Sequence, residues 1–185
     1  MKYTVFLDRD GVINQDSAEY VKDPSEFEFI PKSPEAIALF TQSGFNVIVI
    51  TNQSMIGRNI ASQGRLEAIF GKMKAGVEAA GGRITDIFYC PHVPEDRCSC
   101  RKPKPGLIFQ AQKKYRIDLT RSFMVGDSTR DIACARNAGC AKALLVKTGN
   151  GPAAYAELSK NHMAPDHFAE DLYDAACWII GSVKG

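Results

Sequence analysis

Tyr3-Thr4-Val5-Phe6-Leu7-Asp8-Arg9-Asp10-Gly11-Val12-Ile13 is the stretch that decides the fold. A short apolar run, Tyr3–Leu7, ends abruptly in an acidic turn, which is the pattern of a buried strand. Asn46–Ile50 repeats it and is nearly all apolar, as a strand covered on both faces should be. Asp86–Tyr89, Ser122–Val125 and Ala143–Val146 read as further strands. Helices alternate with them. Ser33 and Pro34 look like an N-cap and first helical residue, opening a helix to about Ser43 that Gly44 stops. Ser62 to Ala80 ends at Gly81-Gly82, Gly106–Tyr115 follows, and Thr129–Ala138 closes at Gly139. Pro152–Ser159 and Phe168–Ile180 complete the set. Gly11–Phe29 is a polar connection pegged by Tyr20, Phe27 and Phe29. Alternating strands and helices predict an α/β fold: a Rossmann-like, doubly wound, mostly parallel sheet with helices on both faces. In such sheets ligands bind beyond the carboxyl ends of the strands.

The chain has 185 residues, 45% hydrophobic and 24% charged, with a formal net charge of +2. That composition suits one domain over residues 1–185. The small net charge argues against a nucleic-acid partner. No apolar run approaches the roughly 20 residues that cross a bilayer, so no membrane partner is expected. The N-terminal apolar stretch is short and ends in Asp8, unlike a signal peptide, so a cytoplasmic, reducing setting is expected. The expected assembly is a monomer.

The strand-end rule can be applied residue by residue. The first strand delivers Asp8 and Asp10, two carboxylates before a glycine. The first can attack phosphorus and form an aspartyl-phosphate. The second can exchange protons with the leaving group and then with water. The second strand delivers Thr51-Asn52-Gln53-Ser54, a hydroxyl and N–H groups suited to phosphate oxygens. The strand at Ser122–Val125 delivers Gly126-Asp127, and Asp127 can complete an oxygen-rich Mg²⁺ site with Asp8 and Asp10. Cys100-Arg101-Lys102-Pro103-Lys104-Pro105-Gly106 supplies cations for phosphate and for the attacking carboxylate. Singly, Thr51 could be a turn residue, Asp127 a helix cap and the basic run a solvated loop. Their order at successive strand ends argues for a site.

Three of the six cysteines cluster. Cys90-Pro91-His92 and Cys98-Ser99-Cys100 pair two soft ligands with two more, enough for a structural, tetrahedral Zn²⁺ site over about residues 90–100. A disulfide or free thiols are the alternatives. Cys134, Cys140 and Cys177 read as small buried residues, and His162 and His167 as surface residues.

These motifs resemble the haloacid dehalogenase superfamily of phosphatases from Asp8 to Asp131. The resemblance implies that Asp8 is the nucleophile, Asp10 the general acid/base, Thr51 a phosphoryl ligand and Lys102 the neutralising cation. Mg²⁺ would sit on the Asp8 and Asp127 side chains and the Asp10 carbonyl, with Asp131 supporting them. Many members carry a cap domain, but the intervals Asp8–Thr51 and Thr51–Lys102 already hold helices, strands and the cysteine loop, so no large cap is expected. Asp8-Arg9-Asp10-Gly11-Val12-Ile13-Asn14, Thr51-Asn52-Gln53-Ser54, the cysteine loop and Cys100 to Gly106 are similar to the heptose 1,7-bisphosphate phosphatases. That similarity implies a sugar bisphosphate substrate, loss of its C7 phosphate, and a step towards lipopolysaccharide or surface-glycan heptose. Arg9, Asp16, Tyr20, Asn52, Gln53, Ser54 and Arg101 would then bind substrate. Histidinol-phosphate phosphatases share the zinc loop and the Asp-Arg-Asp-Gly start and are the competing family; a catalytically inactive, zinc-stapled binding module is the remote alternative.

Overall fold

The structure is a computed structural model that describes residues 2–184. Strands β1 (Thr4–Leu7), β2 (Asn46–Asn52), β3 (Asp86–Cys90), β4 (Ser122–Gly126), β5 (Lys142–Val146) and β6 (His167–Ala169) form one sheet in the order β3-β2-β1-β4-β5-β6. Every pairing between them is parallel. Helices α1 (Ser33–Gln42), α2 (Gln63–Ala79) and α6 (Leu172–Lys184) contribute to the core on one face. Helices α3 (Gly106–Tyr115), α4 (Thr129–Ala138) and α5 (Gly151–Lys160) contribute to the core on the other. The expected Rossmann-like fold is therefore present, with no large cap among the described residues.

Strand periodicity explains the two cores. Val5 and Leu7 point to one face and Phe6 to the other; Val47 and Val49 alternate with Ile48 and Ile50 in the same way. All of these are fully buried. Burial of one such side chain is worth about 1.5–3 kcal/mol, which is why β1 lies at the centre although it has only four residues. The strand order reverses direction between β1 and β4, so the crevice of a doubly wound sheet opens beside Asp8 and Asp127. Asp8 is tied to that neighbour directly, its N–H donating to the Val125 carbonyl at 3.0 Å. In the long connection Phe27 is buried, and Tyr20 and Phe29 pack against the core from its edge.

Four expectations are corrected. Phe168 does not open a helix: His167–Ala169 is the sixth strand, and the helix begins at Leu172. Asp166 holds the Ala143 N–H at 2.8 Å and leads the chain into register with β5. The Asp171 side chain accepts from the Asp174 N–H, and the Asp174 side chain from the Glu170 N–H, so the true helix start carried a capping signal. Ser33 is not the cap of α1; it is buried, its hydroxyl donates to the Ile13 carbonyl at 2.6 Å, and Lys32 takes the cap position. Cys177 is exposed, whereas Cys134 and Cys140 are buried. His167 is partly buried and stacks on Trp178 at 4.9 Å between centroids.

Candidate active site

The carboxyl ends of β1, β2 and β4 converge on a cavity of about 380 Å³. Every residue expected to act on, bind or neutralise the phosphoryl group lines it, together with Asp127. At its base Lys102 is 3% exposed. Its Nζ lies 2.9 Å from Asp8 Oδ2 and 2.6 Å from Asp131 Oδ1. The other Asp131 oxygen accepts from the Ser128 N–H and hydroxyl at 3.1 and 2.6 Å, closing a capping box at the start of α4. Asp131 therefore holds the lysine from behind while Asp8 meets it from the front.

Burial pushes Asp8 up to about 8; Lys102 opposes the rise, and Asp131 and Asp127 add to it. Burial likewise raises Asp127 to about 6, against the pull of the Asn150 N–H. Lys102 loses hydration by burial, but Asp131 and Asp8 outweigh that and hold its pKa above the usual lysine value. Burial also raises Asp16 at the cavity wall.

Carboxylate oxygens of Asp8, Asp127 and Asp131 lie within 4.8 Å of one another. Asp131 is fully buried behind Lys102, whereas Asp8 and Asp127 line the cavity and present charged oxygen donors to a hard cation there. Two glycines shape the space around Asp127. A Cβ on Gly11, at φ +77°, would come within 2.2 Å of Asp127 Oδ2, and one on Gly149, at φ +59°, within 2.3 Å. Their backbones pack together and the Asn150 N–H donates to Asp127 Oδ2 at 2.8 Å. This donor set and its close backbone wall suit Mg²⁺.

Asp10 is surrounded by donors. Arg9 Nε and Nη2 and Asn14 Nδ2 reach Asp10 Oδ1, while Gln53 Nε2 reaches Oδ2 at 2.9 Å. Gln53 also donates to Thr51 Oγ1 at 2.8 Å, so one amide orients both groups. Arg9, expected to contact substrate, lines the cavity, and at 1% exposure its Nε and Nη2 also hold Asp10 in place. Tyr20 and Ser54 hydroxyls lie 3.4 Å apart across the cavity wall. Arg101 Nη1 donates to the His92 carbonyl at 3.1 Å, fastening the cysteine loop to the rim. Asn14, which bonds Asp10, and Arg130 and Asn150, which line the cavity, were given no site role by the sequence reading. The loop after β5 carries Gly149-Asn150, and the strand-end rule applied to that strand would have found it.

Cys90, His92, Cys98 and Cys100 present ligand atoms within 4.8 Å of one another. Cys100 Sγ lies 3.2 Å from Cys90 Sγ, 3.4 Å from Cys98 Sγ and 3.3 Å from His92 Nδ1. Ligands of a tetrahedral zinc ion stand about 3.4–3.8 Å apart, and no disulfide links these thiols. The donor set fits Zn²⁺. Lys104 Nζ donates to the Arg97 and Cys98 carbonyls, so the loop is fastened on its cationic side as well.

A phosphatase of Bordetella bronchiseptica named for D-glycero-β-D-manno-heptose-1,7-bisphosphate is 46% identical over 80% of this chain and 82% of its own length. The chain belongs to the heptose-1,7-bisphosphate 7-phosphatase family. A relative of the same name from Neisseria meningitidis is 40% identical over 88% of this chain and 86% of its own. The crystal structure of the B. bronchiseptica D,D-heptose 1,7-bisphosphate phosphatase complexed with magnesium and phosphate superposes with a TM-score of 0.91. It is 41% identical and covers 98% of this chain and 99% of that one. A HAD-hydrolase-like family model matches residues 99–175. No described helix is long and apolar enough to cross a membrane.

Proposed function

We propose that this protein removes the C7 phosphate of D-glycero-D-manno-heptose 1,7-bisphosphate and retains the phosphate at C1. The observation that carries the reading is the Asp8–Lys102–Asp131 ion-pair chain beside Asp10 and Asp127, in a family named for this reaction. Asp8 attacks phosphorus, the bond to the C7 oxygen breaks, and Asp10 gives that oxygen its proton. Asp10 then takes a proton from water, which attacks the aspartyl-phosphate, frees inorganic phosphate and restores Asp8. Arg9, Asn14 and Gln53 hold Asp10 in place, Thr51 offers its hydroxyl to the phosphoryl oxygens, and Lys102 offsets the repulsion between two anions. Asp8, Asp127 and the Asp10 carbonyl would hold Mg²⁺, which supplies charge neutralisation on the phosphoryl group. Cys90, His92, Cys98 and Cys100 would hold a structural Zn²⁺. Asp16, Tyr20, Ser54 and Arg101 line the side where the sugar and second phosphate would lie.

Phosphate release from a substrate panel tests this reading. The α and β anomers of the heptose bisphosphate, fructose 1,6-bisphosphate and histidinol phosphate are compared at saturating Mg²⁺, with Asp8→Asn as control. A heptose bisphosphate is expected to give the highest kcat/KM, and Asp8→Asn to be inactive. Preference for histidinol phosphate would overturn the substrate; release by Asp8→Asn at the unaltered rate would overturn the mechanism.

A further inference from the structure

We propose that Asn52 is a positioning residue for Lys102, acting through the main chain of the loop and not through a bond to the sugar. The inference rests on the role given to Lys102 above. Asn52 is the last residue of β2, in register with Cys90 at the end of β3. Beyond Cys90 the chain leaves the sheet and returns as Cys100-Arg101-Lys102. Where it returns, the Lys102 N–H donates to Asn52 Oδ1 at 3.0 Å. Asn52 Nδ2 donates to the Lys102 carbonyl at 3.3 Å. One side-chain amide thus makes, with residue 102, the paired donor and acceptor contacts that a neighbouring strand would make.

Asparagine suits this task because its short side chain carries both an acceptor and a donor. The consequence falls on the ammonium group. A lysine side chain has four rotatable bonds, so its head is located only if its backbone is. Here Nζ must meet Asp8 and Asp131 at once. β2 is paired to β1 from Asn46 to Val49, so Asn52, three residues further along the same strand, references Lys102 to the strand that delivers Asp8. The cysteine cluster anchors the loop two residues upstream, and Asn137 Nδ2 holds the Pro103 carbonyl at 3.1 Å on the other side. Asn52 is the contact on residue 102 itself.

The test compares the Mg²⁺- and Zn²⁺-loaded enzyme with Asn52→Ala and Asn52→Ser. The substrate is p-nitrophenyl phosphate, an ester with no sugar to touch, and the inhibitor is orthovanadate, which mimics the transferring phosphoryl group. A misplaced catalytic group costs on the order of 10²-fold, so kcat is expected to fall about 10- to 100-fold with KM nearly constant. Vanadate inhibition should weaken by a similar factor. By NMR the Lys102 amide should exchange slowly in the unaltered protein and at least about tenfold faster in both variants. If kcat on the small ester stays within about twofold, or the Lys102 amide exchanges equally fast with and without Asn52, the proposal is overturned. If Asn52→Ala does not fold, Asn52→Ser and the protection of the Lys102 amide in the unaltered protein decide the matter. Asp8→Asn separates the two readings. Turnover of the small ester by that variant sinks the mechanism, and amide exchange alone then decides for or against the clamp.

Discussion

Replacing Lys102 with Met removes the cation on which the site's electrostatics turn, with little change of side-chain length. Nζ sits 2.9 Å from Asp8 and 2.6 Å from Asp131, and the residue is 3% exposed. At about 3 Å and an effective dielectric of about 20, each contact is worth a gross attraction of about 5 kcal/mol. Much of that offsets the desolvation of the lysine. Removing one partner is costlier than the net value of the pair, because two buried carboxylates then face each other, and the usual cost is about 3–5 kcal/mol. For a chain of this size about 1 kcal/mol moves the melting temperature by about 2–4 °C, so Lys102→Met should melt about 6–20 °C lower in metal-free buffer. Losing one preorganised positive group should lower kcat by about 10²- to 10³-fold. Thermal unfolding by circular dichroism and phosphate release at saturating Mg²⁺ measure the two effects. A variant that melts within about 2 °C of the unaltered protein and keeps kcat within about threefold would refute the reasoning.

Stabilisation by Mg²⁺ should grow with pH. Asp127 and Asp8 are raised to about 6 and about 8, above the unfolded carboxylate value of about 3.9, so the folded state holds these protons more tightly. Their contribution to metal-free stability is full below about pH 4 and is lost as pH rises through 6 to 8, where Mg²⁺ competes with fewer protons. The Mg²⁺-induced rise in melting temperature should therefore be larger at pH 8 than at pH 5.5, and an equal rise would contradict the assignment. Gly11→Ala should fold less stably and lose most of its Mg²⁺ response, since the new Cβ would stand 2.2 Å from Asp127 Oδ2; titration calorimetry with Mg²⁺ checks this. Cys98→Ser should retain less than one zinc per chain by atomic absorption and melt lower, because a structural zinc contributes folding free energy directly.

Much of the site could be located from local signals. Five of the strands, Asp8, Asp10, Thr51 and Asp127 at strand ends, and the four clustered cysteine and histidine ligands all announce themselves by spacing. Phe168 misled because a short apolar run does not distinguish an edge strand from a helix start, and the capping pair Asp171 and Asp174 was the better guide. Arg9 gained a further role for another reason. A charged residue between two catalytic carboxylates can face the cavity and lock one of them at once, and only the fold shows that Arg9 is seated over Phe70 with two nitrogens on Asp10. Gly149-Asn150 and Asn14 act largely through close backbone approach or a single amide bond, which leaves little pattern in composition.

Alternating apolar runs and helical segments determined the layered sheet, the edge of that sheet where chemistry must lie, and the ligand types available there. Periodicity and burial act over a few residues, so the chain carries that information in order. Tertiary structure alone decided how Lys102 is held between two acids at once and which donors fix Asp10. Lys102 reaches Asp8 and Asp131 because a loop folded on a cysteine cluster is stitched by Asn52 to the end of another strand. Contacts of that kind join residues dozens of positions apart through main-chain groups that every residue type possesses, and so they exist only once the chain has folded.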